Sequence, residues 1–228
     1  MKKEVIVFSL GGSLVVPNNV DYNYLHKFKI FVNKLRKKYN IVLVTGGGKT
    51  ARDYIKALRY EKADNKLQSI IGIMSTKLNA RLVAGIFGLN EIVPDSLEDV
   101  KKHVEKNGFC VCGALGFQPD MTSDGDAAEI SAYLKADLFV NLTNVDGLYD
   151  KDPKKYKTVK LIQCIDYKSF IDIVNKIKYE SGQHFVLDQA AARIISKSKI
   201  KTLIVNGKKL DNVLMYLKDH KFRGTLIN

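Results

Sequence analysis

The chain has 228 residues, 46% hydrophobic and 27% charged, with 37 Lys plus Arg against 24 Asp plus Glu. That is enough apolar material for one sizeable core, and it excludes intrinsic disorder, a collagen-like repeat and a disulfide scaffold. The net charge of +13 rests on 31 Lys and only six Arg spread along the chain, which argues against a nucleic-acid partner and for a field that attracts small anions.

Val5–Leu10 is a short apolar run that reads as a buried strand. Its basic start imitates a secretory leader, but Glu4 interrupts it, Gly11 and Gly12 break it, and no small-residue cleavage site follows. Residues 22–39 place Leu25, Phe28, Phe31, Val32 and Leu35 on one helical face. The aromatic stripe of Tyr22, Tyr24, Phe28 and Phe31 suits the core or a subunit contact. Strand 41–44 and helix 49–60 follow, then a long helix, or two, over 67–87. A short strand at 91–93 precedes helix 96–106 and strand 109–111. Helix 124–135 leads to strand 138–142 and a turn-rich stretch from Asp146 to Pro153. A peripheral hairpin over 156–165 precedes helices 166–178 and 187–199, strand 202–205, helix 210–218 and strand 225–227.

Apolar strands alternating with helices predict an α/β fold: a three-layer αβα sandwich around a mostly parallel central sheet. No internal repeat or Pro-rich linker divides it, and a soft lobe boundary falls near Gly147. Cys110, Cys112 and Cys164 are sparse and odd in number, which suits a reducing compartment, and the first two read as core rather than as metal ligands. No apolar run approaches the ~20 residues of a membrane span. The expectation is a cytoplasmic protein without a membrane partner.

In a parallel sheet, ligands lie beyond the carboxyl ends of the strands. Three such ends carry glycine-rich turns: Gly11-Gly12-Ser13, Gly46-Gly47-Gly48-Lys49 and Gly113-Ala114-Leu115-Gly116. Their backbones can approach polyphosphate closely. Gly48-Lys49-Thr50 is not a P-loop, because position 43 is Leu where that motif needs Gly. Thr122-Ser123-Asp124-Gly125-Asp126 opens a helix, with Ser123 or Asp124 suited to cap it. The remaining hydroxyls and carboxylates exceed what capping needs. The stretch Thr143-Asn144-Val145-Asp146-Gly147-Leu148-Tyr149, running on to Asp152-Pro153, suits a nucleoside pocket. His184 reads equally as a phosphate neighbour or a solvated loop residue, and the run from Lys154 to Lys157 as a solvated face.

The loops SLGGSL, VTGGGKTARDYI, MTSDGDAAEISAYLKAD and TNVDGLYDKDP, followed by SGQHFVLDQAAARIISKSKIKT and a terminal Gly224-Thr225, resemble amino-acid-kinase-fold proteins in kind and order. Within that fold the chain is most similar to the archaeal-type uridylate (UMP) kinases. The resemblance implies transfer of the γ-phosphoryl of ATP, with Mg2+, to UMP, giving UDP for pyrimidine nucleotide synthesis. It implies that Gly12 and Ser13 touch the ATP phosphates, that Gly48 and Arg52 face ATP, and that Thr143, Asn144, Tyr149 and Asp152 form the ATP nucleoside pocket. It places Gly47, Ser69, Ala114, Gly116, Phe117, Gln118, Thr122 and Ser123 against UMP. Asp124 and Asp188 become organising carboxylates; Lys49, with Arg52 as the alternative, is the candidate catalytic cation in place of the Lys that most of the family carries at position 9. The acceptor side becomes 1–146 and the ATP side 147–228, in a homo-oligomer, often a hexamer.

The sequence departs from the family pattern at three places. Ser9 stands where most members carry Lys, Ser69 stands where the ribose-binding Asp is expected, and residues 114–121 form a longer approach to the next helix. Two alternatives therefore stay open: a same-fold kinase for another small phosphate or carboxylate, and a non-catalytic nucleotide-binding or storage protein.

Overall fold

A computed structural model describes residues 3–90, 93–117, 121–151, 156, 158–176 and 187–228. Within them, seven strands form one sheet: β1 (Val5–Leu10), β2 (Asn40–Thr45), β3 (Phe109–Cys112), β4 (Leu138–Thr143), β5 (Cys164–Ile165), β6 (Thr202–Asn206) and β7 (Gly224–Ile227). The strand order is β3-β2-β1-β4-β6-β7-β5. The first five strands in that order are mutually parallel; β7 is antiparallel to β6, and β5 runs parallel to β7.

Helices cover both faces. They are α1 (Gly12–Val15), α2 (Tyr22–Leu35), α3 (Gly48–Tyr60), α4 (Asn65–Ile86), α5 (Leu97–Asn107), α6 (Ser123–Leu134), α7 (Tyr167–Lys176), α8 (Gln189–Ser198) and α9 (Asp211–Asp219). One core places Phe8, Leu10 and Leu43 against Phe28 and Val32 of α2, Val83 of α4 and Val213 of α9. The other places Val7, Val44 and Phe139 against Val100 of α5, Ile130 of α6, Phe170 of α7 and Ile195 of α8. The alternate residues of β1 thus feed opposite cores, which is why the strand reads as one apolar run with no period. The three-layer sandwich matches the sequence expectation.

One open alternative is settled and four local expectations change. Residues 65–86 form one helix, because Asp64 caps it through Leu67 N at 2.7 Å and no Pro breaks it. Helix α2 stops at Leu35 rather than Tyr39, and Gly12–Val15, read as a turn, forms a short helix. The cap of α6 is Thr122, not Ser123 or Asp124; its hydroxyl accepts the Asp124 N–H at 3.2 Å. The expected hairpin over 156–165 is not one among the described residues. Leu161 bridges Tyr149 antiparallel, and Cys164–Ile165 joins the sheet edge beside β7. The expected strand at 91–93 falls largely on Glu91 and Ile92, and the run from Lys154 to Lys157 largely on Lys154, Lys155 and Lys157; these, like His184, lie outside the described residues.

Cys110 and Cys112 are buried in the second core, as expected, and Cys164 is exposed. Phe28 and Phe31 of the aromatic stripe are buried, whereas Tyr22 is 73% exposed.

Candidate active site

The carboxyl ends of β1, β2, β3 and β4 lie side by side, so the loops at Gly11, Gly46, Gly113 and Asn144 share one edge of the sheet. Backbone bonds lock the first two loops to their neighbours. Gly11 N donates to Leu142 O at 3.1 Å, Gly46 N to Leu10 O at 3.0 Å, and Lys49 N to Val16 O at 2.8 Å. The fit leaves no room for side chains. A Cβ on Gly12 would stand 2.1 Å from Gly48 N, and one on Gly46 would stand 2.6 Å from Gly12 N and 3.4 Å from Ser123 Oγ. Gly48 also adopts φ +63°, a left-handed conformation that other residues rarely take. The starts of α3 and α6 therefore come together at the Gly12 and Gly46 loops; Lys49 N is taken by Val16 O and Asp124 N by Thr122 Oγ1, and the positive ends of the two helices still favour anionic ligands there.

Asp124 lies under this junction. Its Oδ1 accepts Ser9 Oγ at 2.6 Å and Asn141 Nδ2 at 3.2 Å. Ser9 and Asn141 are register partners on adjacent strands, so the sheet itself presents both donors. Asp124 as a residue is half-buried, yet protein surrounds the carboxyl. That burial, aided by the negative field of Asp188, pushes its pKa up to about 7 against the pull of the two hydrogen bonds. Asp126, one turn into α6, is buried and accepts the Leu115 N–H at 2.9 Å. Its pKa is pushed up to about 6, chiefly by burial, with Glu129 and Asp188 adding and Leu115 N–H and Lys77 opposing.

Asp188 caps α8 through Ala191 N at 2.6 Å. Its other oxygen takes both Thr122 N at 3.1 Å and Thr122 Oγ1 at 2.5 Å. One carboxylate thus ties the starts of α6 and α8 together. A Cβ on Gly125 would come within 3.5 Å of the same oxygen.

On the neighbouring strand ends, Asp146 receives Asn206 Nδ2 at 3.1 Å, Lys209 Nζ at 2.9 Å and Arg223 Nε at 2.6 Å. Burial opposes ionisation, but these three donors outweigh it and hold the carboxyl down to about 2. The pairing anchors the Thr143–Tyr149 loop to β6 and β7. Leu148 N is fixed by Thr225 Oγ1 at 2.8 Å, and Gly207 N by Thr143 O at 2.8 Å.

The expected site residues distribute as follows. Gly12, Ser13, Gly47, Gly48, Ser123 and Asp124 gather around the joined glycine loops, with Thr122 and Asp188 beside them. Gly47 lies against α4, where an added Cβ would be 3.4 Å from Ser75 Cβ. Lys49 is half-buried at the start of α3 and ion-paired with Asp53 one turn on, while Arg52 Nη2 bonds Pro17 O at 3.1 Å. Thr143 and Tyr149 are half-buried and Asn144 is exposed. Ala114 is buried, whereas Gly116 and Phe117 are exposed. Ser69 is exposed near the start of α4. Gln118 and Asp152 lie outside the described residues. Among the described residues, no three His, Cys, Asp or Glu side chains converge on a metal ion.

Sequence reasoning did not single out Asn141, Asp126 as a loop anchor, Asp146 with its cations, or the α4 residues Thr76 and Asn79. Asn141 did carry a signal: a polar side chain inside the apolar run LFVNLT.

Residues 4–206 match the amino acid kinase family. A uridylate kinase from Methanococcus aeolicus is 33% identical over 227 residues, spanning 98% of this chain and 99% of the relative. One from Pyrococcus abyssi is 36% identical over 225 residues, spanning 97% and 98%. The solved uridylate kinase of Archaeoglobus fulgidus superposes with a TM-score of 0.84 at 33% identity, covering 98% of this chain and 99% of that one. A UMP kinase from Ureaplasma parvum, at 23% identity and a TM-score of 0.82, shares the fold over 100% of both chains.

Proposed function

The chain belongs to the amino acid kinase family, and on that premise we propose that it transfers the γ-phosphoryl group of ATP to UMP, giving UDP and ADP for pyrimidine nucleotide synthesis. The observation that carries this reading is the junction of the Gly12, Gly46 and Gly48 backbones with the start of α6. Two helix N-termini and two glycine loops face one point, where the transferring phosphoryl group would lie between donor and acceptor.

Phosphoryl transfer needs in-line positioning and neutralisation of charge rather than covalent chemistry. UMP presents an anionic phosphate, so no side chain has to remove a proton. Gly12, Ser13, Gly48 and Arg52 hold the donor phosphates; Thr143, Asn144, Tyr149 and Asp152 hold the donor nucleoside, from both sides of the soft boundary near Gly147. Gly47, Ser69, Ala114, Gly116, Phe117, Gln118, Thr122 and Ser123 serve the acceptor on the 1–146 side. Asp124 organises cations at the junction, Asp188 holds the two helix starts in register, and Lys49 stands at the mouth of the α3 loop as the catalytic cation.

The donor set fits a divalent ion carried in on the nucleotide phosphates better than a resident one. Asp124 offers a carboxylate whose described partners are neutral or negative, and no third ligand joins it among the described residues. Mg2+, when bound, supplies positive charge to the transferring phosphoryl group, and Asp124 is the residue that would hold it or its waters.

The reading is tested by ADP release from MgATP across UMP, CMP, dUMP, AMP, GMP, isopentenyl phosphate and carbamate. Fast turnover confined to UMP is the expected result. Turnover with another acceptor keeps the fold and moves the substrate, which Ser69, standing exposed without a carboxylate, would explain. Tight ATP binding with no turnover would make the chain a binding or storage protein.

We also assign assembly, as a hexamer, to the α3–α4 face. Helix α3 has no buried residue, and Tyr54, Tyr60, Met74 and Leu78 are 60%, 85%, 59% and 62% exposed. That much apolar surface on one helix pair is what a subunit contact covers. The double substitution Met74→Glu with Leu78→Glu should shift the native assembly to smaller species in light scattering; an unchanged mass would remove this face from the contact. The described helices include none long and apolar enough to cross a membrane.

A further inference from the structure

Thr76 and Asn79 are buried polar residues on the face of α4 from which Ala80, Val83 and Ala84 pack into the core. Their side chains reach past the helix to the loops after β2 and β3. Asn79 Nδ2 donates to the Gly46 carbonyl at 2.8 Å. Thr76 Oγ1 accepts the Ala114 N–H at 2.9 Å and donates to Ile73 O at 2.7 Å. The carbonyl of Thr76 takes Thr45 Oγ1 at 2.9 Å. From the opposite side, Asp126 of α6 takes the next amide, Leu115 N, at 2.9 Å. A Cβ on Gly113 would stand 2.7 Å from Thr76 Oγ1 and 2.8 Å from Lys77 N, so that loop lies flat on α4.

Burying a threonine and an asparagine in an apolar face costs free energy unless every polar atom is bonded. Apolar side chains would attach the helix more cheaply, but dispersion has no direction and lets a helix slide along a loop. Hydrogen bonds fix register. We propose that Thr76 and Asn79 are positioning residues for the acceptor. They hold the Gly46–Gly47 loop and the Gly113–Leu115 loop at a fixed separation, with α4 as the spacer. This rests on the acceptor assignment made above. Neither side chain touches substrate; both act through the backbone of the loops that do.

Thr76→Val keeps the shape and removes the acceptor of the Ala114 N–H. The expected result is faster hydrogen exchange in the peptide covering 109–117 and a KM for UMP raised about tenfold, with kcat and the KM for ATP within about twofold. Thr76→Ser, which keeps the hydroxyl, should restore both readouts. Native exchange and a native KM for UMP in Thr76→Val would overturn the proposal. So would equal losses on ATP and UMP, or a Ser variant as impaired as Val. Should Thr76→Val fail to fold, Asn79→Ser, which withdraws the donor to Gly46, is read by exchange in the peptide covering 40–51 and by the same KM comparison. A native chain that binds ATP but turns over no UMP would sink the acceptor assignment alone, because the exchange comparison needs no substrate.

Discussion

Gly12→Ala is expected to lower kcat/KM for both substrates by about 100-fold or more, with a loss of stability of about 2 kcal/mol. The added methyl would lie 2.1 Å from Gly48 N and 2.7 Å from the Gly46 carbonyl carbon. Both neighbours are backbone, so no side chain can swing away. The loops after β1 and β2 must part, and each is bonded elsewhere: Gly46 N to Leu10 O, Val16 N to Gly12 O, Lys49 N to Val16 O. The amides proposed to bind phosphate move with them, and a displacement near 1 Å is enough for the expected loss. Steady-state kinetics and thermal melts of the purified variant measure both effects. Gly85→Ala is the control. Nothing lies within 4 Å of its added Cβ, and it sits inside α4. It should leave activity unchanged and raise stability by up to about 1 kcal/mol. A Gly12→Ala enzyme with activity within threefold of native would show that the junction does not hold the phosphates.

Asp124→Asn carries the second large effect: a fall in kcat of about 100-fold or more, together with loss of a pH limb. In the ligand-free chain, burial pushes the Asp124 carboxyl up to about 7, so the ionised form proposed to organise cations fills in only as the pH passes that value. The kcat/KM of the native chain, which reports the free enzyme, should therefore rise with pH through about 7, and the Asn variant should not show that rise. Stability should move the other way. Between about pH 4 and 7 the folded state holds a proton on Asp124 that the unfolded chain has released, so stability falls as pH rises across that window. Asp126, pushed up to about 6, adds to the same trend. Asn has no proton to lose and can still accept from Ser9. The melting temperature of Asp124→Asn should thus decline less between pH 5 and 8 than that of the native chain. An enzyme that keeps native kcat with Asn at 124 would remove this carboxylate from the chemistry.

Ser9 shows how sequence and structure divide the problem. Its position in the pattern marks a departure from the Lys of most family members. The consequence appears only once β1, β4 and α6 are assembled. Ser9 and Asn141 then form a neutral, hydrogen-bonding floor under Asp124, and the carboxyl sits with no cation among its described partners. Asp188 is similar. By resemblance it is an organising carboxylate, and its oxygens accept from Ala191 N and from Thr122, a residue 66 positions away, so that it also links two helices.

The chain order of strands, helices and glycine turns was legible in the sequence, because each follows from local rules. Apolar runs buried on two faces lose their period, helical faces repeat every three to four residues, and tight backbone approaches exclude side chains. The αβα sandwich, the placing of the site at the strand ends and the glycines that form it all rest on those rules. Tertiary structure alone decided which side chains meet: Asp124 with Ser9 across 115 positions, Arg223 with Asp146 across 77, and Thr76 with Ala114 across 38. It also decided that Leu161 and Cys164 meet different partners instead of forming a hairpin. The physical reason is that these partners are set by the order β3-β2-β1-β4-β6-β7-β5, which brings distant segments to one edge. Local periodicity records which face a residue presents, and it carries no information about which strand lies next to it.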